Sequence, residues 1–147
     1  MGKIPISYID ISMFAHATED EEKVLKAAKA IIPKEEDERV SFKKNRLKGE
    51  YGNPITFFKV RVKEPRSVEA IIAHLSSHLT ESDKASMLRD FSLRLCNGIL
   101  YIRLDKQKAL QGRLKLCNAD PIHVRIRFKA KKVRKIEEIC RRIGILL

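Results

Sequence analysis

The sequence predicts an α+β fold over one domain, residues 1–147, in which an open, mainly antiparallel sheet carries helices on one face. Three features lead there. Several short stretches alternate apolar and polar residues with period two, as a strand with one buried face does. Between them lie stretches of helical periodicity bounded by caps and stops. Glycine-bearing loops then join neighbouring strands closely enough for antiparallel hairpins. The order is βαββααββαβα, and helices that cover a sheet from one side leave its other face to solvent.

Each element follows from its residues. In 6–16, Ile9, Ile11, Met13 and Ala15 point one way, and Tyr8, Asp10, Ser12, Phe14 and His16 the other. Thr18 then opens a helix with Val24, Leu25, Ala28, Ile31 and Ile32 on its apolar side, ended by Pro33. "KEEDE" (34–38) reads as a solvated acidic connection. Residues 39–49 and 54–64 read as strands joined by the hairpin loop "GEYGN" (49–53). Two helices follow, one from near Ser67 burying Val68, Ile71, Ile72 and Leu75, the next from Thr80 burying Ala85 and Leu88. Residues 91–104 form a hairpin turned at Asn97-Gly98, with Leu93 and Leu95 inward and Arg94 outward. A short helix over 105–112 has Asp105 as its cap and Gly112 as its stop. The strand 121–129 and a helix over 131–144 complete the chain, the helix with Val133, Ile136, Ile139, Cys140 and Ile143 as its core stripe.

Composition narrows the function. The net charge is +12, and it is uneven: residues 1–38 hold 5 basic and 9 acidic side chains, the remainder 26 basic and 10 acidic. A pI near 9.8 with that asymmetry favours a polyanionic partner, of which nucleic acid is the commonest. No stretch approaches the roughly 18 apolar residues of a membrane span, and the N-terminus makes a poor secretory signal. Cys96, Cys117 and Cys140 are odd in number and widely spaced, forming neither a metal motif nor a disulfide framework, so the expected compartment is the reducing cytoplasm.

The strands carry a pattern on their outward side. Lys59, Arg61 and Lys63 leave one strand together, and His123, Arg125, Arg127 and Lys129 another, with no acid in either run. Arg94 joins them, and the first strand adds Tyr8 and Phe14. Cations suit phosphates and flat rings suit unstacked bases, so a shared sheet would make this an RNA-binding face.

Two H-x-T motifs, His16-Ala17-Thr18 and His78-Leu79-Thr80, raise a second reading, because two-histidine phosphoesterases use such pairs on strands as general acid and base. Local physics favours another role. Thr18 with Glu21, and Thr80 with Asp83, have the pattern of helix capping, and acids in a first turn complement the helix dipole. His16 then lies at a strand end beside a helix start, where it could still touch RNA. His74 and His78 stand at metal-capable i, i+4 spacing but without an accompanying motif, so no metal, cofactor or catalytic residue is assigned.

Four blocks in order, "YIDISMFAHATEDEEKVLKA" (8–27), "GEYGNPITFFKVRV" (49–62), "LYIRLDKQKALQG" (100–112) and "DPIHVRIRF" (120–128), resemble the archaeal family of predicted exosome-associated RNA-binding proteins. The resemblance implies a fold like that of the large-subunit ribosomal protein that binds 5S ribosomal RNA. It also implies RNA binding without known catalysis, and association with the exosome. Within the blocks, Lys106 and Gln107 exceed what a cap and helix require and could donate to phosphate or a base edge, while Tyr51 could stack on a base. The reading is therefore a noncatalytic RNA-binding protein. A phosphoesterase acting on RNA ends, or an assembly subunit meeting an acidic protein, are the alternatives.

Overall fold

The computed structural model describes residues 5–49 and 51–147. Residues 1–4, read above for a secretory signal, and Glu50 of the hairpin loop lie outside the described residues. The strands are β1 (Ile6–Ala15), β2 (Lys43–Lys48), β3 (Pro54–Val62), β4 (Leu95–Cys96), β5 (Ile99–Leu104) and β6 (Ile122–Phe128). The helices are α1 (Glu21–Lys29), α2 (Pro65–His78), α3 (Glu81–Arg89), α4 (Phe91–Arg94), α5 (Lys106–Leu110) and α6 (Val133–Arg142). The strands form one six-stranded sheet in the order β2-β3-β1-β6-β5-β4, and every pairing between them is antiparallel.

β1 is central because one side of it is wholly apolar: Ile9, Ile11 and Met13 have no exposed surface. A register shift at Ser7 lets Ile6 join that face despite its sequence parity. β5 and β6 add Leu100, Ile102, Leu104, Ile122, Val124, Ile126 and Phe128 to the same layer. Ile71 and Leu75 of α2 and Ile136 and Ile139 of α6 are buried in the same core. Asn97 and Gly98 have φ of +50° and +81°, the left-handed pair of a two-residue hairpin. A Cβ at Gly98 would also lie 3.3 Å from the Ala130 carbonyl oxygen. The sheet edges are blunted, since β2 exposes Lys43, Lys44, Arg46 and Lys48 and β4 has only two residues.

Several expectations are corrected. Residues 91–94 form a helical turn rather than a strand, because this buries Phe91 and lets Arg94 pair with Asp90 one turn earlier at 2.7 Å; Leu93 is left 87 % exposed. Thr18 does not cap α1. Asp20 does, accepting the Glu22 N–H at 2.9 Å, while Glu19 closes the preceding turn by accepting the His16 N–H at 3.0 Å. α1 stops at Lys29, short of Pro33, although Ile31 and Ile32 stay buried. α2 begins with Pro65 in its first turn, and in α3 it is Asp83 and Met87, not Ala85 and Leu88, that are fully buried. Glu36, expected in solvent, is buried in a 3-10 turn, and Val133 of α6 is exposed.

Candidate RNA-binding face

The strand pairing turns the outward residues into transverse rows. One row runs Lys43–Lys59–Ser12–His123–Arg103 across β2, β3, β1, β6 and β5. The next runs Arg61–Asp10–Arg125–Tyr101, and a third Tyr8–Arg127–Ile99–Cys96. On the other side of the first row lie Asn45, Phe57 and Phe14. Rows are about 6.5–7 Å apart, and five strands span roughly 20 Å. Among the described residues the outer face thus carries six cations, Lys43, Lys59, Arg61, Arg103, Arg125 and Arg127, against one acid, Asp10.

Asp10 is 4 % exposed, and Arg61 neutralises it with two hydrogen bonds, from Nε at 2.8 Å and from an Nη at 2.9 Å. The Asp10 carboxylate in turn holds the Arg61 guanidinium above its already high range. Arg61 also lies over the Tyr8 ring at 4.0 Å, a cation–π contact that fixes the guanidinium against the half-buried ring. Arg125 lies near Tyr101 at 5.6 Å, and its Nε is buried without a hydrogen-bond partner among the described residues. Arg127 donates to the Asn97 carbonyl, tying the face to the hairpin turn. By contrast Lys43, Lys59 and Arg103 form no ion pair among the described residues. Lys43 and Lys59 line a groove of about 410 Å³ with Asn45, Phe57 and Arg61. Burial, reinforced by Arg125 and Arg103, holds the His123 imidazole below its ordinary value, so at neutral pH its ring is a neutral hydrogen-bonding group amid cations.

The remaining candidate residues sit elsewhere. Lys63 is exposed just beyond β3, and Lys129 just beyond β6. Arg94 leaves the expected strand position and lines a hollow of about 380 Å³ with Tyr101 and Arg103 at the β5 side. Lys106 is held inside the protein: its Nζ donates to the Phe14 carbonyl (2.6 Å), Asp120 (2.8 Å) and Glu19 (3.2 Å), and only a tenth of its side chain is exposed. Gln107 is exposed beside it, flanking α1 rather than the sheet face. His16 also meets Asp120, at 3.1 Å from Nε2. Burial would raise the Asp120 carboxyl, but the hydrogen bonds from Lys106 and His16 outweigh it and hold it below the ordinary range. His16, Glu19 and Asp120 together have metal-ligand spacing, yet the cluster already encloses a cation, the Lys106 ammonium.

The two H-x-T motifs are unlike in structure. His16 follows a strand, whereas His78 ends helix α2 and stacks on His74 at 4.0 Å between ring centroids. His74 in turn contacts the Ala30 carbonyl at 2.9 Å through Nε2. Among the cysteines, Cys140 is buried and its thiol is pushed up to about 12, far from a reactive thiolate.

Lys43, Asn45, Tyr101 and Arg103 were not singled out from the sequence. Their alternation is legible in 43–47 and 99–104, but only the cross-strand register puts them in rows with Lys59 and Arg125. With this face defined, comparison with known proteins is decisive: a profile for RNA binding matches residues 8–128, from β1 to the end of β6. The chain belongs to this RNA-binding family. A relative, the RNA-binding protein PAB1135 of Pyrococcus abyssi, is 36 % identical over 137 residues, covering 91 % of this chain and 89 % of that protein. Among solved structures, AF2318 from Archaeoglobus fulgidus, of the DUF54 family, matches with a TM-score of 0.80 at 30 % identity, covering 94 % of this chain and 99 % of the other. The DUF54 protein Mth689 from Methanothermobacter thermautotrophicus matches with 0.77 at 29 %, covering 95 % and 98 %. The family includes archaeal members with this fold throughout their length.

Proposed function

We propose that this chain binds single-stranded RNA along the outer face of its sheet, without catalysing a reaction on it. The observation that carries this is the set of transverse rows, in which unpaired cations share the face with half-buried rings and its one acid among the described residues is already neutralised. Lys43, Lys59 and Arg103 take phosphates. Tyr8, Phe14, Phe57 and Tyr101 offer stacking surfaces, and neutral His123 supplies hydrogen bonds to a base or a 2′-hydroxyl. Lysine acetylation footprinting tests it. RNA should shield Lys43 and Lys59 and leave Lys26 and Lys29, exposed on α1, modified as before. Equal protection of all four would point to diffuse charge attraction instead. The site of action on this reading is the cytoplasm. The exosome link implied by the family resemblance adds a protein partner, tested separately by recovering exosome subunits from nuclease-treated extract.

A further inference from the structure

At the end of the sheet near Ala15 and Pro54 the outer face changes character. Its cations stop at the Lys43–Arg103 row, and next come Asn45, Phe57 and Phe14, whose two rings sit 4.9 Å apart. Past them opens a pocket of about 190 Å³, walled by His16 and Thr18 on one side and by Gly49, Tyr51 and Asn53 on the other, with Ile55 at its back. Both walls are built. The first is braced by the Glu19–Lys106–Asp120 network that also holds His16. The second is closed by the Gly49 N–H donating to the Asn53 carbonyl at 2.7 Å. It is also seated on Ile55 so closely that a Cβ at Gly49 would lie 3.0 Å from the Ile55 Cδ1. Tyr51 lines the pocket with 86 % of its surface exposed.

We propose that this pocket holds one unpaired nucleobase of the bound RNA, stacked against Tyr51 at the end of the cationic track. This rests on the sheet-face reading and gives it an end point. The occupant is a base and not a phosphate because the adjoining network has two carboxylates, Glu19 and Asp120, against one ammonium, so an anion is repelled. A mostly apolar lining is the usual make-up of a small-ligand site and suits the flat face of a base, and here Ile55, Ala17 and Tyr51 line the pocket together with His16, Thr18 and Asn53. Continuity through Phe14 and Phe57 brings a strand lying on the cations directly to it.

The test uses the full chain and short single-stranded RNAs, with affinity measured across a salt series. Tyr51→Ala should weaken binding about tenfold, as loss of one stacked base does, with the salt slope unchanged, and Tyr51→Phe should bind like the parent. Removing single bases along the RNA should reveal one sensitive position whose loss no longer matters in the Tyr51→Ala protein. Because Tyr51 is exposed, unchanged thermal unfolding of the variant excludes misfolding. Salt-dependent binding that ignores both Tyr51→Ala and base removal overturns the pocket and leaves the sheet reading intact. No RNA binding by the parent protein overturns both.

Discussion

Arg61 and Asp10 face each other across β1 and β3, and their pairing gives an outward residue a structural duty. Losing the guanidinium strands a carboxylate that is 4 % exposed. Arg61→Gln should therefore cost roughly 2–4 kcal/mol of stability in urea unfolding, with part of the loss recovered when Asp10→Asn is added. Equal costs for the single and double variants would mean the pair is uncoupled. Protonation acts at the same scale. Burial chiefly holds His74 and His123 below their ordinary value, so the unfolded chain takes up more protons as pH falls. Their contribution is fully present above about pH 6.5 and declines below it, toward their lowered folded values. Glu21 and Asp120 are also held below the usual range, so theirs is present above about pH 4 and is lost as pH falls through the folded values. Changing His74 and His123 to Gln should flatten the decline between pH 7 and 5. An unaltered pH profile would assign that decline to other groups.

At the scale of elements, the caps separate what the sequence shows from what it hides. Thr80 accepts the Asp83 N–H at 3.1 Å, and Asp105 accepts the Lys108 N–H at 2.9 Å, as their spacing predicts. Thr18 has the same spacing but no cap role, because α1 begins only at Glu21 and Asp20 is its cap, accepting the Glu22 N–H, while Glu19 turns back to the His16 N–H. Thr80→Ala and Asp20→Ala should each cost about 1 kcal/mol, and Thr18→Ala close to nothing, in the same unfolding assay. A cost at Thr18 equal to that at Asp20 would contradict the observed geometry. The strands were legible because period two needs only local information, which is why the faces of β1, β3 and β6 came out correctly. Residues 91–94 misled for the same reason: their alternation is also met by a helical turn, and the choice lay with the buried contact of Phe91 and the Asp90–Arg94 pair. The role of Lys106 was hidden because its partners lie 14, 87 and 92 residues away.

Over the whole molecule, acids gather at the start of α1, while the outer face of the sheet is mostly basic. Helix α1 and its approach hold Glu19, Asp20, Glu21 and Glu22, and Glu21 is tied to Lys44 at 2.7 Å beneath the β2 edge. On the outer face Lys43, Lys59 and Arg103 have no acid partner among the described residues. The most direct measurement of that face's role is the salt dependence of binding to single-stranded RNA. It should be made for the parent, for Lys43, Lys59 and Arg103 changed together to Gln, and for Lys26 and Lys29 changed together to Gln. Each phosphate contact contributes a log–log slope of about −0.7, so the sheet variant should lose about 2 from the magnitude of the parent slope. It should keep the parent's stability, because none of its three residues is ion-paired among the described residues. The helix variant should keep the parent slope. A sheet variant with the parent slope, or a helix variant that loses as much per charge removed, would contradict an RNA-binding face on this sheet.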